Sequence, residues 1–171
     1  MPDPTDTLVQ QLAQALIQRG WLMATAESCT GGLIAARCTE LAGSSAWFDR
    51  GVVSYSNEAK IELLSVPADL IAQHGAVSEA VARAMAEGML RRSKAHIAVA
   101  VTGIAGPGGG TLDKPVGTVW LAWAQPSATE APALHTQARC MHFEGDRAQV
   151  RHATCELALA EIVRLLQLAH S

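Results

Sequence analysis

The sequence predicts an α/β protein, a three-layer α/β/α sandwich with a mixed sheet, folded as a single domain. Segments with helical spacing alternate with short apolar runs early in the chain, and two apolar runs adjoin near its C-terminal end. Alternation is typical of strand–helix units with parallel strands, whereas adjoining strands favour antiparallel pairing. With 171 residues, 49% of them hydrophobic, and no break in composition, we expect one domain over residues 1–171 with its core at about 6–168.

The first strand–helix unit follows an N-terminal helix. Asp6 can cap that helix, whose apolar residues recur at helical spacing, and Gly20 can end it. Residues 21–26 form an apolar run that predicts a short buried strand, and residues 31–41 predict the next helix. The junction between this strand and this helix carries polar side chains and is the first candidate for chemistry.

The middle of the chain is expected to contain one strand and three helices. Residues 47–56 include a β-favouring run that predicts the strand, and Asn57 is a suitable N-cap for a short helix that ends at Pro67. Another short helix is expected over residues 67–74. Ser78 can cap a longer helix that extends to about residue 94.

The C-terminal part supplies three more strands and the last helix. Residues 96–102 predict a buried strand, and the glycine-rich loop GIAGPGGGTLDKP follows it directly. Residues 117–124 and 135–143 predict two further strands, joined by a polar connection that contains proline. After Gly145 a final helix is expected to extend to about residue 168.

Composition and charge argue against several classes of function. The net charge is −3 and the basic residues are scattered, so nucleic acid is not expected as a primary partner. No run approaches the roughly 20 apolar residues of a membrane span, and the N-terminal segment does not resemble a signal peptide, so we expect a cytoplasmic protein without membrane contact. The four cysteines lack CxxC spacing and the six histidines lack HExxH spacing, so a catalytic metal is not indicated. We also expect no cofactor.

The segment AESCTGG is the first candidate site. A serine or threonine before a helix commonly serves only as an N-cap. The functional interpretation is that Ser28 or Cys29 attacks an electrophile, whose oxyanion is held by N–H groups near Thr30, Gly31 and Gly32. The residues alone leave both interpretations open.

The segment SYSNEAK is the second candidate site. It places Tyr55 at a strand end and Lys60 on the first turn of a helix, where the helix dipole disfavours a cation. If the site is also partly buried, both effects favour the neutral amine that a general base requires. The alternative is a solvated lysine on a surface helix.

Two further segments are candidates for binding an anion. The loop VTGIAGPGGG is neither a Walker A motif nor a GxGxxG motif that opens a helix, yet its successive N–H groups can form an anion-binding nest. Arg147 of FEGDR and Arg151 lie one helical turn apart and can clamp a phosphate or carboxylate. A flexible connection and surface ion pairs are the corresponding structural alternatives.

Six separated motifs, in one order, resemble the CinA C-terminal domain family, which includes nicotinamide-nucleotide amidohydrolases. They are AESCTGG, GSSAWFDRGVVSYSNEAK, HGAVSE, VTGIAGPGGG, KPVGTVW and FEGDR. The resemblance covers about residues 6–168. It implies hydrolysis of the carboxamide of nicotinamide mononucleotide to nicotinic acid mononucleotide and ammonia, by a metal-independent serine mechanism in pyridine nucleotide recycling.

The resemblance also implies roles for particular residues. Ser28 is the expected nucleophile, Lys60 its general base and Tyr55 a partner that orients or relays. Arg147 is expected to bind the 5′-phosphate of the substrate. The full set of expected substrate-binding residues is Thr30, Gly31, Gly32, Ser45, Thr102, Gly103, Gly106 and Arg147.

Larger members of the family carry an additional N-terminal domain associated with metal-dependent pyrophosphatase activity on ADP-ribose. Because this chain starts directly with the amidohydrolase domain, that second activity is expected to be absent. Several apolar helix faces indicate a homodimer or a higher homo-oligomer.

Two rival interpretations remain at this stage. Glu27, Cys29 and Lys60 match the residue types of nitrilase-like amidases, in which a thiol is the nucleophile. The other rival is a noncatalytic nucleotide-binding module with a regulatory role in competence or the DNA damage response. Such a module has no reason to hold a serine and a lysine together.

Overall fold

The computed structural model describes residues 4–169 and contains a five-stranded sheet with helices on both faces. The strands are β1 (Met23–Glu27), β2 (Phe48–Val53), β3 (Ile97–Gly103), β4 (Thr118–Pro126) and β5 (Leu134–His142). The helices are α1 (Pro4–Arg19), α2 (Leu33–Glu40), α3 (Asn57–Leu64), α4 (Ala68–His74), α5 (Glu79–Arg91) and α6 (Arg147–Leu168), and a 3₁₀ turn, Ser44–Ala46, precedes β2. None of the helices in this part of the chain has the length and apolar character needed to cross a membrane.

The sheet is mixed, as the sequence predicts. Its strand order is β2-β1-β3-β4-β5, in which β1 pairs in parallel with β2 and β3, and β4 pairs antiparallel with β3 and β5. The chain leaves β1 toward one side to form β2 and then crosses to the other side to form β3. The carboxyl end of β1 therefore lies at a topological switch point, where open α/β sheets form their binding crevices.

The two faces of the sheet are covered by different sets of helices. Met23 and Val99 point toward α1, α2 and α6, whereas Ala24 and Ala100 point toward α3, α4 and α5. Successive residues of a buried strand face opposite sides, so both faces of β1 and β3 are buried. The predicted three-layer α/β/α arrangement of a single domain is confirmed.

The helix ends explain where sequence and structure differ. Helix α1 begins at Pro4, and the predicted capping role of the Asp6 side chain falls outside the described part of the structure. Helix α3 is capped by Ser56, whose side chain accepts a hydrogen bond from the Ala59 N–H at 3.0 Å, so the prediction of Asn57 as the cap is wrong by one residue. The predicted cap of α5, Ser78, is confirmed.

Candidate active site

Ser28 lies directly after β1, at the carboxyl edge of the parallel strands. Its N–H donates to the Val101 carbonyl at 3.1 Å, and the Ser54 N–H donates to the Glu27 carbonyl at 2.8 Å. These bonds continue the pairing of β1 with β3 on one side and with β2 on the other. Ser28 is therefore held by the sheet itself, although its side chain emerges at the sheet edge.

Two consecutive tight turns follow Ser28 and delay the start of α2. The Gly31 N–H donates to the Ser28 carbonyl at 3.0 Å, and the Leu33 N–H donates to the Thr30 carbonyl at 3.1 Å. Gly31 and Gly32 have φ angles of 60° and 102°, a region that L-residues with a side chain rarely adopt. Helix α2 therefore begins at Leu33, two residues later than predicted.

These turns determine which N–H groups can serve an oxyanion. The Gly31 N–H closes the first turn and is already engaged by the Ser28 carbonyl. The N–H groups of Thr30 and Gly32 belong to the central peptides of the two turns, which a tight turn leaves unbonded. The three residues predicted to frame the oxyanion thus differ. The Gly31 N–H is engaged in a turn, whereas the N–H groups of Thr30, which is fully buried, and of Gly32, which is partly exposed, are not engaged by the turns.

The buried side chain of Glu27 stabilises the turns and the start of α2 by hydrogen bonds. Its side chain is 1% exposed, and Oε1 accepts hydrogen bonds from the Thr30 hydroxyl at 2.6 Å and the Ile34 N–H at 2.8 Å. Oε2 accepts from the Ala35 N–H at 3.1 Å. A carboxylate at the start of a helix satisfies N–H groups that have no partner within the helix. Glu27 is therefore committed to α2 and its preceding turns, which makes it unsuitable as a general base.

Lys60 of α3 meets Ser28 from the neighbouring segment. Its Nζ lies 3.0 Å from Ser28 Oγ, 2.8 Å from the Ser54 carbonyl oxygen and 3.1 Å from the Tyr55 carbonyl oxygen, and the residue is 1% exposed. A neutral amine has two N–H groups and one lone pair. When the two N–H groups donate to the two carbonyls, the lone pair faces Ser28 Oγ, which is the geometry required to accept the hydroxyl proton.

Burial also favours the neutral form of this lysine. Removal from solvent lowers the pKa of Lys60 below its ordinary value, because the ammonium loses hydration that the amine needs less. The alternative of a solvated surface lysine is therefore wrong. The pair of a buried lysine and a serine at hydrogen-bonding distance is the arrangement found where a lysine activates a hydroxyl nucleophile.

Tyr55 contacts the pair through its main chain. Its carbonyl oxygen accepts from Lys60 Nζ and lies 3.5 Å from Ser28 Oγ, whereas its side chain is 59% exposed. The phenol oxygen instead accepts a hydrogen bond from Arg147 Nη2 at 3.2 Å, and Arg147 Nη1 donates to the Gly106 carbonyl at 2.8 Å. Arg147 therefore links the segment after β2, the glycine-rich loop and the start of α6.

The remaining predicted binding residues lie in two different places. Thr102 and Gly103 end β3 at the same edge as Ser28, and the Thr102 hydroxyl donates to the Ala76 carbonyl at 2.9 Å. Ser45 lies in the 3₁₀ turn before β2, at the opposite edge, because β2 runs parallel to β1. At about 3.3 Å per residue, the six residues of β2 separate it from Ser28 by roughly 20 Å. Within one chain, therefore, Ser45 does not line the pocket around Ser28.

Cys29 has the environment of an inert thiol. It is buried in the apolar core, and this burial raises its pKa to about 11. The thiolate is the reactive form of cysteine, so a raised pKa opposes nucleophilic attack. The other two residues of the nitrilase-like set are engaged elsewhere: Lys60 Nζ is hydrogen-bonded to Ser28, and the Glu27 carboxylate is hydrogen-bonded to α2 and Thr30. The geometry thus argues against the nitrilase-like interpretation of these three residues.

Sequence reasoning missed two contributions to the site. The Ser54 carbonyl is a main-chain group and leaves no signal in residue type, and the role of Glu27 depends on where α2 begins. Arg151 was visible only as a second arginine one turn after Arg147.

No cluster of three or more histidine, cysteine, aspartate or glutamate side chains suited to a metal ion occurs within residues 4–169.

The fold and the site define a three-layer α/β domain with a buried serine–lysine pair at the switch point of its sheet. The profile of the CinA C-terminal domain matches residues 5–166. The chain belongs to the CinA C-terminal domain family.

Similar proteins and structures support this assignment. A nicotinamide-nucleotide amidohydrolase, PncC, of Escherichia coli K12 is 51% identical over 152 residues, which cover 89% of this chain and 88% of that protein. A putative competence-damage inducible protein of Symbiobacterium thermophilum is 52% identical over 94% of this chain, which spans only 38% of that longer protein. The crystal structure of a competence damage-inducible protein A from Klebsiella pneumoniae has a TM-score of 0.89 and 43% identity, with 98% of this chain and 99% of that chain covered.

Proposed function

We propose that this protein is a nicotinamide mononucleotide amidohydrolase that forms nicotinic acid mononucleotide and ammonia, as a step of pyridine nucleotide recycling. The observation that carries the proposal is the 3.0 Å contact between the buried Lys60 Nζ and Ser28 Oγ. The PncC relative, whose length is similar, supports the choice of substrate. The site stands at the sheet edge where α/β proteins bind nucleotides.

The proposed reaction begins with neutral Lys60. Its amine takes the proton of Ser28 Oγ, and the oxygen attacks the carboxamide carbon. The resulting oxyanion is held by the N–H groups of Thr30 and Gly32. The lysine ammonium then gives its proton to the amide nitrogen, the C–N bond breaks, and ammonia leaves an ester on Ser28.

Water completes the proposed reaction. Lys60, neutral again, takes a proton from water, and the hydroxide oxygen attacks the ester carbon. As the C–O bond to Ser28 breaks, the Lys60 ammonium returns its proton to Ser28 Oγ, and the carboxylic acid product loses its own proton to solvent. Arg147, which is exposed and donates a hydrogen bond to the Tyr55 phenol, is proposed to bind the 5′-phosphate of the substrate.

The test compares two neighbouring side chains in the purified protein. Ammonia and nicotinic acid mononucleotide are measured with nicotinamide mononucleotide as substrate. Ser28→Ala is expected to lower kcat by about 10³-fold or more, whereas Cys29→Ala stays within a few fold of wild type. Activity is expected to persist in EDTA. A dead Cys29→Ala beside an active Ser28→Ala, or tight binding without ammonia release, would overturn the proposal.

A further inference from the structure

Arg151 lies on α6, one helical turn beyond Arg147, and reaches the turns that follow Ser28. Its Nη2 donates to the Thr30 carbonyl oxygen at 3.0 Å, and a Cβ built on Gly31 would lie 3.7 Å from the same nitrogen. Arg151 Nε is buried without a hydrogen-bond partner in the described part of the chain. Arg151 is therefore partly buried where it lies against this backbone.

The bonded carbonyl occupies a special position in the two turns. The peptide that joins Thr30 to Gly31 belongs to both, because its N–H closes the first turn on Ser28 and its C=O closes the second turn on Leu33. A rotation of this peptide would change the directions of the two central N–H groups together. It would also move the segment that carries Ser28.

This peptide needs external support. Gly31 and Gly32 have no Cβ to restrict their backbone, so the turns have more conformational freedom than other residues would allow. Glu27 holds the Thr30 side chain, and Arg151 holds the Thr30 main chain. A hydrogen bond from a charged donor is roughly twice as strong as a neutral one, so the arginine restrains the peptide effectively.

We propose that Arg151 is a positioning residue that holds the Thr30–Gly31 peptide, and through it the oxyanion N–H groups and Ser28, in reactive geometry. The inference rests on the proposed serine mechanism but not on the identity of the substrate. It assigns no substrate contact to Arg151. Loss of the guanidinium is therefore expected to affect kcat and to leave KM nearly unchanged.

The experiment uses Arg151→Ala, Arg151→Lys and the control Arg164→Ala. Arg164 lies on the same helix, 13 residues further on and hence about 20 Å away, and pairs with Glu161. We expect kcat on nicotinamide mononucleotide to fall about 10- to 100-fold in both Arg151 variants, with KM within about threefold. Guanidinium ion is expected to restore part of the rate of Arg151→Ala only, and the control is expected to retain wild-type kcat.

A second measurement separates this inference from the proposed substrate. Labelling of Ser28 by a fluorophosphonate reports its reactivity without nicotinamide mononucleotide and is expected to slow in the Arg151 variants by a factor similar to that in kcat. Unchanged labelling, or a rise in KM alone, would overturn the positioning role. If the wild type is labelled but releases no ammonia, the proposed substrate fails while labelling still decides the role of Arg151. Absence of labelling in the wild type overturns both Ser28 as nucleophile and the role of Arg151.

Discussion

Replacement of Lys60 by methionine is the sharpest test of the serine–lysine pair. Methionine has a similar length but no nitrogen, so it removes the base without inserting a larger group. Within residues 4–169, two groups lie at hydrogen-bonding distance from Ser28 Oγ, the Lys60 amine and the Tyr55 carbonyl. Of these, only the amine can take a proton. General base catalysis contributes about 10²- to 10⁴-fold, so kcat/KM is expected to fall by that factor.

The pH dependence of kcat/KM tests the same role of Lys60. Burial lowers the pKa of Lys60 in the folded protein, and an amine can act as a general base only when it is neutral. In the wild type, kcat/KM is therefore expected to rise as pH increases through this lowered pKa. Lys60→Arg, whose guanidinium stays protonated, is expected to lack this rise because arginine does not titrate in the range.

The free energy of unfolding is expected to rise with pH, as kcat/KM does. Between the lowered folded pKa and the unfolded value of about 10.4, the unfolded chain binds more protons at Lys60 than the folded chain does. The free energy of unfolding of the wild type is therefore expected to rise with pH in that window, relative to Lys60→Met. Urea titrations at several pH values measure this difference.

Two results would refute this reasoning. One is a Lys60→Met variant that keeps more than about a hundredth of the wild-type kcat/KM, since loss of a base costs at least about 10²-fold. The other is an acid limb of the pH profile that persists unchanged in this variant. Circular dichroism and the urea titration distinguish a folded, inactive variant from an unfolded one.

Three other substitutions test separate parts of the site. Gly32→Ala is expected to lower the free energy of unfolding by about 1–2 kcal/mol, because φ is 102° at this residue. The control Gly108→Ala, where a Cβ would meet open space, is expected to change it by less than about 0.5 kcal/mol. Equal values for the two variants would contradict backbone strain at residue 32. Glu27→Gln places an amide donor against N–H groups, and we expect a loss of about 1–3 kcal/mol in urea unfolding, so wild-type stability would contradict this role. Tyr55→Phe removes the phenol bond to Arg147 but keeps the carbonyl that Lys60 contacts, so kcat is expected to stay within about threefold; a 100-fold fall in kcat would instead support a relay through the phenol.

Much of the fold was predictable because local patterns and tertiary packing agree. The cap at Ser78 and the end of α1 at Gly20 followed from local chemistry, and Gly20 adopts the positive φ of 63° that such an end requires. The start of α2 was predicted two residues too early, because pattern reasoning extends a helix through Gly31 and Gly32 unless their φ angles are known. The cap of α3 was displaced by one residue for a similar reason, since Ser56 and Asn57 are both good caps.

The sequence by itself determined which reactive groups this protein supplies and where they stand along the chain: a serine after a buried strand, a lysine at the start of a helix, and glycines that permit tight turns. Only the tertiary structure decided how these parts meet. Parallel pairing of β1 and β2 brings Lys60 to Ser28 and leaves Ser45 at the other edge, while the packing of α6 brings Arg151 onto the Thr30 carbonyl. The physical reason is that residue type and spacing define local backbone preferences, whereas burial, pKa and contacts between distant segments arise only when the sheet and its helices pack together.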